Sequence, residues 1–261
     1  QGPLRILKSM YPEGDGVCHN VLVHPPSGLI GSDQIEIKIR VGEGAHGLLT
    51  TPGATRFLGR SRQWASQSVT MRLEPDSRFE WLPLETLVYP GAWAKNRMNL
   101  ALASGSSLMA WDVYALGLQA SSQPFVQGAL DACSEWPGRW RDHAVIRADD
   151  FVLLDGPLGL QGHRAWGQFV LLWDAMTPLS KPAAIDDVLE ETRRAIDLHI
   201  QSNNLFNAIK AGVTQSQPGV IQLRALANHA SQILELFQVI WPNWRTQAWG
   251  VNSCPVRSWK L

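Results

Sequence analysis

Residues 18–57 read CHNVLVHPPSGLIGSDQIEIKIRVGEGAHGLLTTPGATRF, and the fold turns on how this stretch divides. Inside it, Gln34-Ile35-Glu36-Ile37-Lys38-Ile39-Arg40-Val41 alternates polar and apolar side chains with a period of two. Successive side chains of an extended chain point to opposite faces, so the run predicts a half-buried strand with Ile35, Ile37, Ile39 and Val41 inward. Its flanks are turn chemistry: His24-Pro25-Pro26, a Gly/Ser loop ending at Asp33, the Gly42–Gly44 turn, and Thr50-Thr51-Pro52-Gly53. Proline fixes φ and glycine admits positive φ, so these positions specify where the backbone bends.

Outward from this stretch the same alternation of short strands and turns continues. Residues 1–24 read as two short strands around a Tyr11–Gly16 turn, and a strand is expected over Gly47–Thr51. Residues 56–66 are polar and basic without a period and read as a loop. Arg56, Arg60 and Arg62 there fit a solvated face, or a docking patch for an acidic partner. Strands are expected over Val69–Leu73, Phe79–Leu82, Asn96–Leu102 and Ser107–Leu116, the last ending at Gly117. Up to about residue 160 the pattern argues for an all-β stack or sandwich, with no fixed-length repeat to prove a solenoid.

Beyond that point a buried strand over Phe169–Trp173 is followed by a helix opened by Pro182. Ile185, Val188, Leu189, Thr192, Ile196 and Ile200 fall at helical spacing, with Glu190, Glu191, Arg193 and Arg194 outward. Two strands, Leu205–Val213 and Val220–Arg224, precede a last helix over Ala225–Ile240 that Pro242 should stop. The expected architecture is mainly β. A strand-rich body (1–160) carries an α+β portion (161–261) with two helices, packed on the same body as one structural domain.

The 261 residues carry 23 Lys+Arg and 23 Asp+Glu, so no electrostatic case exists for nucleic acid or an anionic membrane. Charged residues make up 18%, below the usual quarter, and there are 12 Trp, which together suggest a surface partly hidden in partners. The simpler reading of most of these indoles is ordinary core. Trp241, Trp244, Trp249 and Trp259 crowd a Pro-interrupted terminal segment and are expected to anchor a protein interface. Cys18, Cys133 and Cys254 are sparse and odd in number, which argues against a disulfide framework and for a reducing compartment. Neither a signal-peptide pattern nor an apolar run long enough to span a bilayer is present in the sequence.

Walker A, GxSxG, HExxH and CxxC patterns are all absent from the sequence, so no catalytic constellation stands out. Cys18, His19, His24, His46 and Asp33 carry the atoms a borderline metal ion favours. Adjacent Cys18 and His19 point to opposite faces of a strand, and the simpler reading is histidines that satisfy turns and a cysteine that packs. Asp33, Glu80, Glu85, Asp112 and Asp142 stand in or beside apolar strands. Buried carboxylates are costly unless paired, hydrogen-bonded or wet, so an inward set implies internal water or pairing with Arg40, Arg72, Arg97 or Arg147.

The wording of several segments resembles the urease accessory protein UreD family, called UreH in some species. The matching phrases are Tyr11-Pro12-Glu13-Gly14, Cys18-His19, His24-Pro25-Pro26-Ser27-Gly28, Gly31-Ser32-Asp33, Gly44-Ala45-His46 and Leu49 to Phe57. Glu80 to Glu85, Ala110-Trp111-Asp112 and Cys254 to Trp259 continue the match. Departures are Asn20-Val21, Ser32, Leu58 and Leu84. The resemblance implies a non-catalytic, cytoplasmic scaffold that binds apo-urease together with UreF and, through UreF, the GTPase UreG. It implies a superhelical array of strands with two helices near the C-terminus, and a strand-rich segment ahead of Gly2-Pro3-Leu4. It also implies a polar tunnel that carries nickel transiently, with no permanently bound cofactor. By motif, Asp33, Thr55 and Asp112 match positions associated with that passage, and Asp142 matches more loosely; Glu80 is of the right chemical type. His46, His24, Cys18 and His19 are the candidate transient ligands. Two rivals are a carbohydrate-binding or carbohydrate-active β protein, suggested by the tryptophans and carboxylates, and a metallochaperone that holds nickel tightly. The first class is usually secreted, and the second lacks its His-rich tract here.

Overall fold

The computed structural model describes residues 2–174 and 182–260. The chain lays down β1 (Arg5–Ile6), β2 (Cys18–Val23), β3 (Leu29–Ile30), β4 (Gln34–Val41), β5 (His46–Thr50) and β6 (Thr55–Leu58). Next come β7 (Trp64–Leu73), β8 (Arg78–Leu82), β9 (Thr86–Val88), β10 (Trp93–Leu102) and β11 (Ser107–Leu118). Then follow β12 (Gln123–Pro124), β13 (Ala129–Trp136), β14 (Trp140–Arg147), α1 (Phe151–Asp155), β15 (Ala165–Trp173) and α2 (Pro182–Ser202). The order ends with β16 (Ile209–Gln217), β17 (Val220–Ala227) and α3 (Ala230–Trp249).

Successive turns of chain stack in parallel. β4, β7, β10 and β13 pair in that order along one sheet. β5, β8 and β11 do the same along the other, flanked by the parallel stack of β3, β6 and β9. The result is a mainly β chain wound as a β-solenoid of about three turns. Gln34, Ser66, Lys95 and Asp131 share one register but lie at unequal sequence spacings, which is why no fixed-length repeat is legible. Antiparallel strands close the C-terminal end: β14 on β13, and β15, β17 and β16 on β11. β15 therefore continues the sheet of the N-terminal body.

The alternating strand Gln34–Val41 forms as expected, with Ile35, Ile37 and Val41 buried and Ile39 half-buried. The expected loop over 56–66 is shorter. β6 and the start of β7 fall inside it, because Ser66, Gln67 and Ser68 are polar yet paired on both sides, which hides the strand from a hydrophobic pattern. β9 gave no sequence signal, and β11 runs on to Leu118, past Gly117.

Two cores share the larger sheet. One lies between the sheets around Trp81, Phe57 and Met71; the other lies between that sheet and the helices around Trp111, Phe169 and Trp244. α2 buries Ile185, Val188, Leu189, Thr192 and Ile196 as its spacing predicts. The last helix departs from expectation at both ends. Ala225 to Ala227 belong to β17, held by β15 and β16. The helix also passes through Pro242 to Trp249. An internal proline costs about 3 kcal/mol, but Trp241, Trp244, Ala248 and Trp249 all bury on the helix-side core, and the Thr246 hydroxyl bonds the Pro242 carbonyl at 3.0 Å. Gly250, at φ 64°, ends the helix with its N–H on Thr246 O.

Stacking brings loops of adjacent turns into contact at Gly59, where an added Cβ would sit 1.8 Å from the Pro90 carbonyl oxygen. Gly59→Ala should therefore destabilise the protein by about 2 kcal/mol or more, read as a fall in the urea midpoint. An exposed control such as Gly42→Ala, where a Cβ meets open space, should be close to neutral.

Candidate functional site

β11 is buried on both faces, and its period of two sorts its residues. Met109, Trp111 and Val113 face the helices, while Leu108, Ala110, Tyr114 and Leu116 face the space between the sheets. Asp112 shares that inter-sheet face. Strand pairing carries the same face outward: Gln168 of β15 stands opposite Asp112, and Arg224 of β17 opposite Gln168. On the other side Thr55, Thr86 and Tyr114 occupy one register across β6, β9 and β11.

These inward polar groups form a file through an otherwise apolar interior. The Gln67 amide donates to Asn96 Oδ1 at 3.3 Å, and Asn96 Nδ2 donates to the Tyr114 hydroxyl at 2.6 Å. Farther along, Gln168 Nε2 donates to Ser134 Oγ at 3.1 Å, and Gln222 Nε2 donates to both Gln168 Oε1 (3.1 Å) and Asp142 Oδ2 (2.6 Å). Arg224 reaches the same Asp142 oxygen at 3.0 Å. One end of the file opens on a cavity of about 150 Å³ lined by His24, Thr55, Thr86, Gln67, Trp81 and Asp112. The other end reaches an open cleft of about 670 Å³ that includes Asp142, Trp166 and Arg224.

Asp112 is the least satisfied member. Its Oδ2 has no hydrogen-bond partner among the described residues, nor does the Trp81 indole N–H. Burial raises the Asp112 pKa to about 7, with Trp81 and Tyr114 opposing the rise. Burial also pushes Tyr114 well above the ordinary phenol range. His24, at the cavity mouth, is lowered by burial, with Asp33 opposing, so its imidazole is neutral at neutral pH and able to accept.

The sequence-predicted residues separate. Thr55, Asp112 and Asp142 lie along the file, and His24 sits at its mouth. Asp33 does not join them; it is exposed, and its carboxylate accepts the Ile30 N–H at 2.9 Å to cap the turn. Glu80 does not either. It lies on the helix side of the sheet, opposite to Asp112, because its register partners Leu48 and Met109 face the helices. There it joins a closed ionic network: His46 Nε2 at 2.7 Å, the Trp241 indole N–H, and Arg245 Nε at 3.2 Å. Arg245 also pairs with Glu13 at 2.9 Å, and Glu13 with His19 at 2.6 Å. His19 and His46 are thus tied to carboxylates, and Cys18 is half-buried on the other face of β2. Among the described residues no group of three or more His, Cys, Asp or Glu is placed to hold a metal ion.

The four tryptophans expected to anchor an interface lie against the helix-side core of the chain. Trp241, Trp244 and Trp249 are buried, and Trp259 is partly buried. Their indole N–H groups are taken up by Glu80, Thr192, Ser107 and Thr50 within the chain. An interface anchor must be exposed in the free chain, whereas these rings fill the helix-side core. The same burial takes these four indoles out of the set that favoured a carbohydrate-binding protein. Residues missed from sequence are Gln67, Asn96, Ser134, Gln168 and Gln222. Their signal was a lone polar residue at an inward position, as in AWGQFVLLW and VIQLRALA.

Residues 1–260 match the family described as UreD urease accessory protein. The chain belongs to that family. The urease accessory protein UreD of Albidiferax ferrireducens is 44% identical over 260 residues, covering 100% of this chain and 91% of the relative. That of Paracidovorax citrulli is 43% identical over 261 residues with the same coverage, and that of Verminephrobacter eiseniae is 44% identical over 260. The wider UreD match thus extends over both the polar file and the ionic network. No helix among the described residues is long and apolar enough to cross a membrane.

Two outcomes follow from the electrostatics. The native pKa of Asp112 lies above its unfolded value, so its stabilising contribution is complete below pH 4 and lost as pH rises through 7. Asp112→Asn should therefore gain about 4 kcal/mol on the parent between pH 4 and pH 8.5, read from denaturation midpoints. Arg245→Met leaves two buried carboxylates without their cation and should cost about 3–5 kcal/mol at neutral pH, read the same way.

Proposed function

We propose that this chain is a non-catalytic, cytoplasmic maturation scaffold. It holds apo-urease together with UreF and, through UreF, UreG, and it passes nickel to urease through the space between its sheets. Nickel is cargo here and is bound only transiently. The observation that carries the reading is the polar file itself, in which Asp112 is buried with one carboxylate oxygen unpartnered among the described residues and lines a cavity of about 150 Å³.

The chemistry of transfer asks for such a path. A dry apolar bore opposes a divalent ion, whose desolvation costs far more than apolar walls return. A cage of strong ligands opposes release, because conduction needs sites that are favourable but weak. Single oxygens from Thr55, Thr86, Asp112 and Asp142, interleaved with the amides of Gln168 and Gln222, meet both demands. Asp112, with its pKa raised to about 7, supplies a carboxyl in the middle that ionises as a cation approaches, and His24 supplies a nitrogen at the mouth. Asp33 and Glu80 have no part in this path.

Replacing Asp112 by Leu removes the central carboxyl ligand, and replacing Thr55 by Arg places a like charge at the cavity. Each variant should form the complex with UreF and apo-urease normally, yet yield urease with several-fold less nickel, measured by metal analysis of the matured enzyme. Full nickel content in both variants, with the complex intact, would overturn the reading.

A further inference from the structure

We propose that the cleft between the N-terminal arm and the C-terminal tail docks an extended segment of another protein that alternates apolar and acidic side chains. The arm pairs with β2 at Ile6↔Leu22 and again at the Met10↔His19 bridge. Between these points the ladder is interrupted, and the Ser9 hydroxyl donates to Asn20 Oδ1 at 2.9 Å. The main-chain amides of Leu7, Lys8 and Ser9 make no backbone hydrogen bond among the described residues. Beside this stretch lies a cleft of about 630 Å³, floored by Val21 and Leu48 and walled by Met10, Pro255 and Val256. That volume is within the range of formed ligand sites. Leu7, 72% exposed, and Tyr11, 52% exposed, stand at its mouth.

Charge decides the occupant. Among the described residues no acidic side chain lines the cleft, whereas Lys8 and Arg257 do, both exposed and neither in an ion pair. Glu13, close by in sequence, is already bound to His19 and Arg245. Ser258 Oγ in the wall is buried without a partner. Open main-chain donors along the arm suit strand addition by a peptide, whose alternate side chains enter a pocket. An apolar side chain then fills the cleft while its acidic neighbours meet the two cations. A second copy seated by the same face would bring four unpaired cations together, which disfavours self-association.

The test uses fluorescein-labelled pentapeptides Leu-Glu-Leu-Glu-Leu and Leu-Lys-Leu-Lys-Leu with the whole protein, read by anisotropy at low and high salt. The acidic peptide should bind about tenfold tighter or better, with the preference shrinking at high salt. Lys8→Glu with Arg257→Glu, both surface changes, should invert the preference, and Leu7→Asp should weaken the acidic peptide on the unaltered cations. Equal binding of the two peptides, or a preference that survives the charge reversal, would overturn the proposal. So would sedimentation showing a dimer that Leu7→Asp dissolves, or binding of dodecanoate in place of the peptide.

Discussion

Strand β11 is buried on both faces, and the fold is built around that constraint. It pairs in parallel with β8 and β9 on one edge and antiparallel with β15 on the other, so its backbone groups are satisfied along both edges. Parallel sheets with both faces covered are the usual result of such stacking. The helices cover one face and the second sheet the other, which is why the molecule has two cores on one sheet. Any polar side chain on β8, β11 or β15 must then be satisfied inside the protein.

The two sides of this sheet solve that problem differently. On the helix side, Glu13, His19, His46, Glu80 and Arg245 close on one another and on the Trp241 indole. Each carboxylate has a cationic or hydrogen-bonding partner, and the network ties the N-terminal loop, three strands and α3 together. Between the sheets the polar groups string out instead, from Thr55 through Asp112 to Asp142, and one Asp112 oxygen has no partner among the described residues. A closed cluster suits stability. An open file with an under-satisfied carboxylate is a cost that stability alone does not explain, and it has a cavity beside it.

The tryptophans follow the same logic. Trp111, Trp241, Trp244 and Trp249 are large apolar plates with one donor each, and every donor meets an internal acceptor. Their stacking and edge contacts with Phe169 and Trp259 weld α3 and the tail to the sheet. This packing carries the helix through Pro242, since ending it there would leave Trp244, Arg245 and Trp249 without their places.

Local pattern determined much of this protein. The strict alternation of Gln34–Val41, the Pro/Gly turns and the helical spacing of α2 each specify their element, because backbone period and turn chemistry act over a few residues. The family phrases likewise point to UreD from the sequence alone. Elements with mixed polarity were not legible: the start of β7 and the short β9 are strands because neighbouring turns pair with them, and no local signal reports a neighbour some thirty positions away. The same limit governs the site. Thr55, Asp112 and Asp142 were nameable as chemical types, but Glu80 looks the same in sequence as Asp112, a carboxylate inside an apolar strand. Only the tertiary structure decided that they face opposite sides of one sheet, one locked to Arg245 and the other open to a cavity. The face a side chain takes is set by which strand lies beside it, and that pairing is a property of the whole fold.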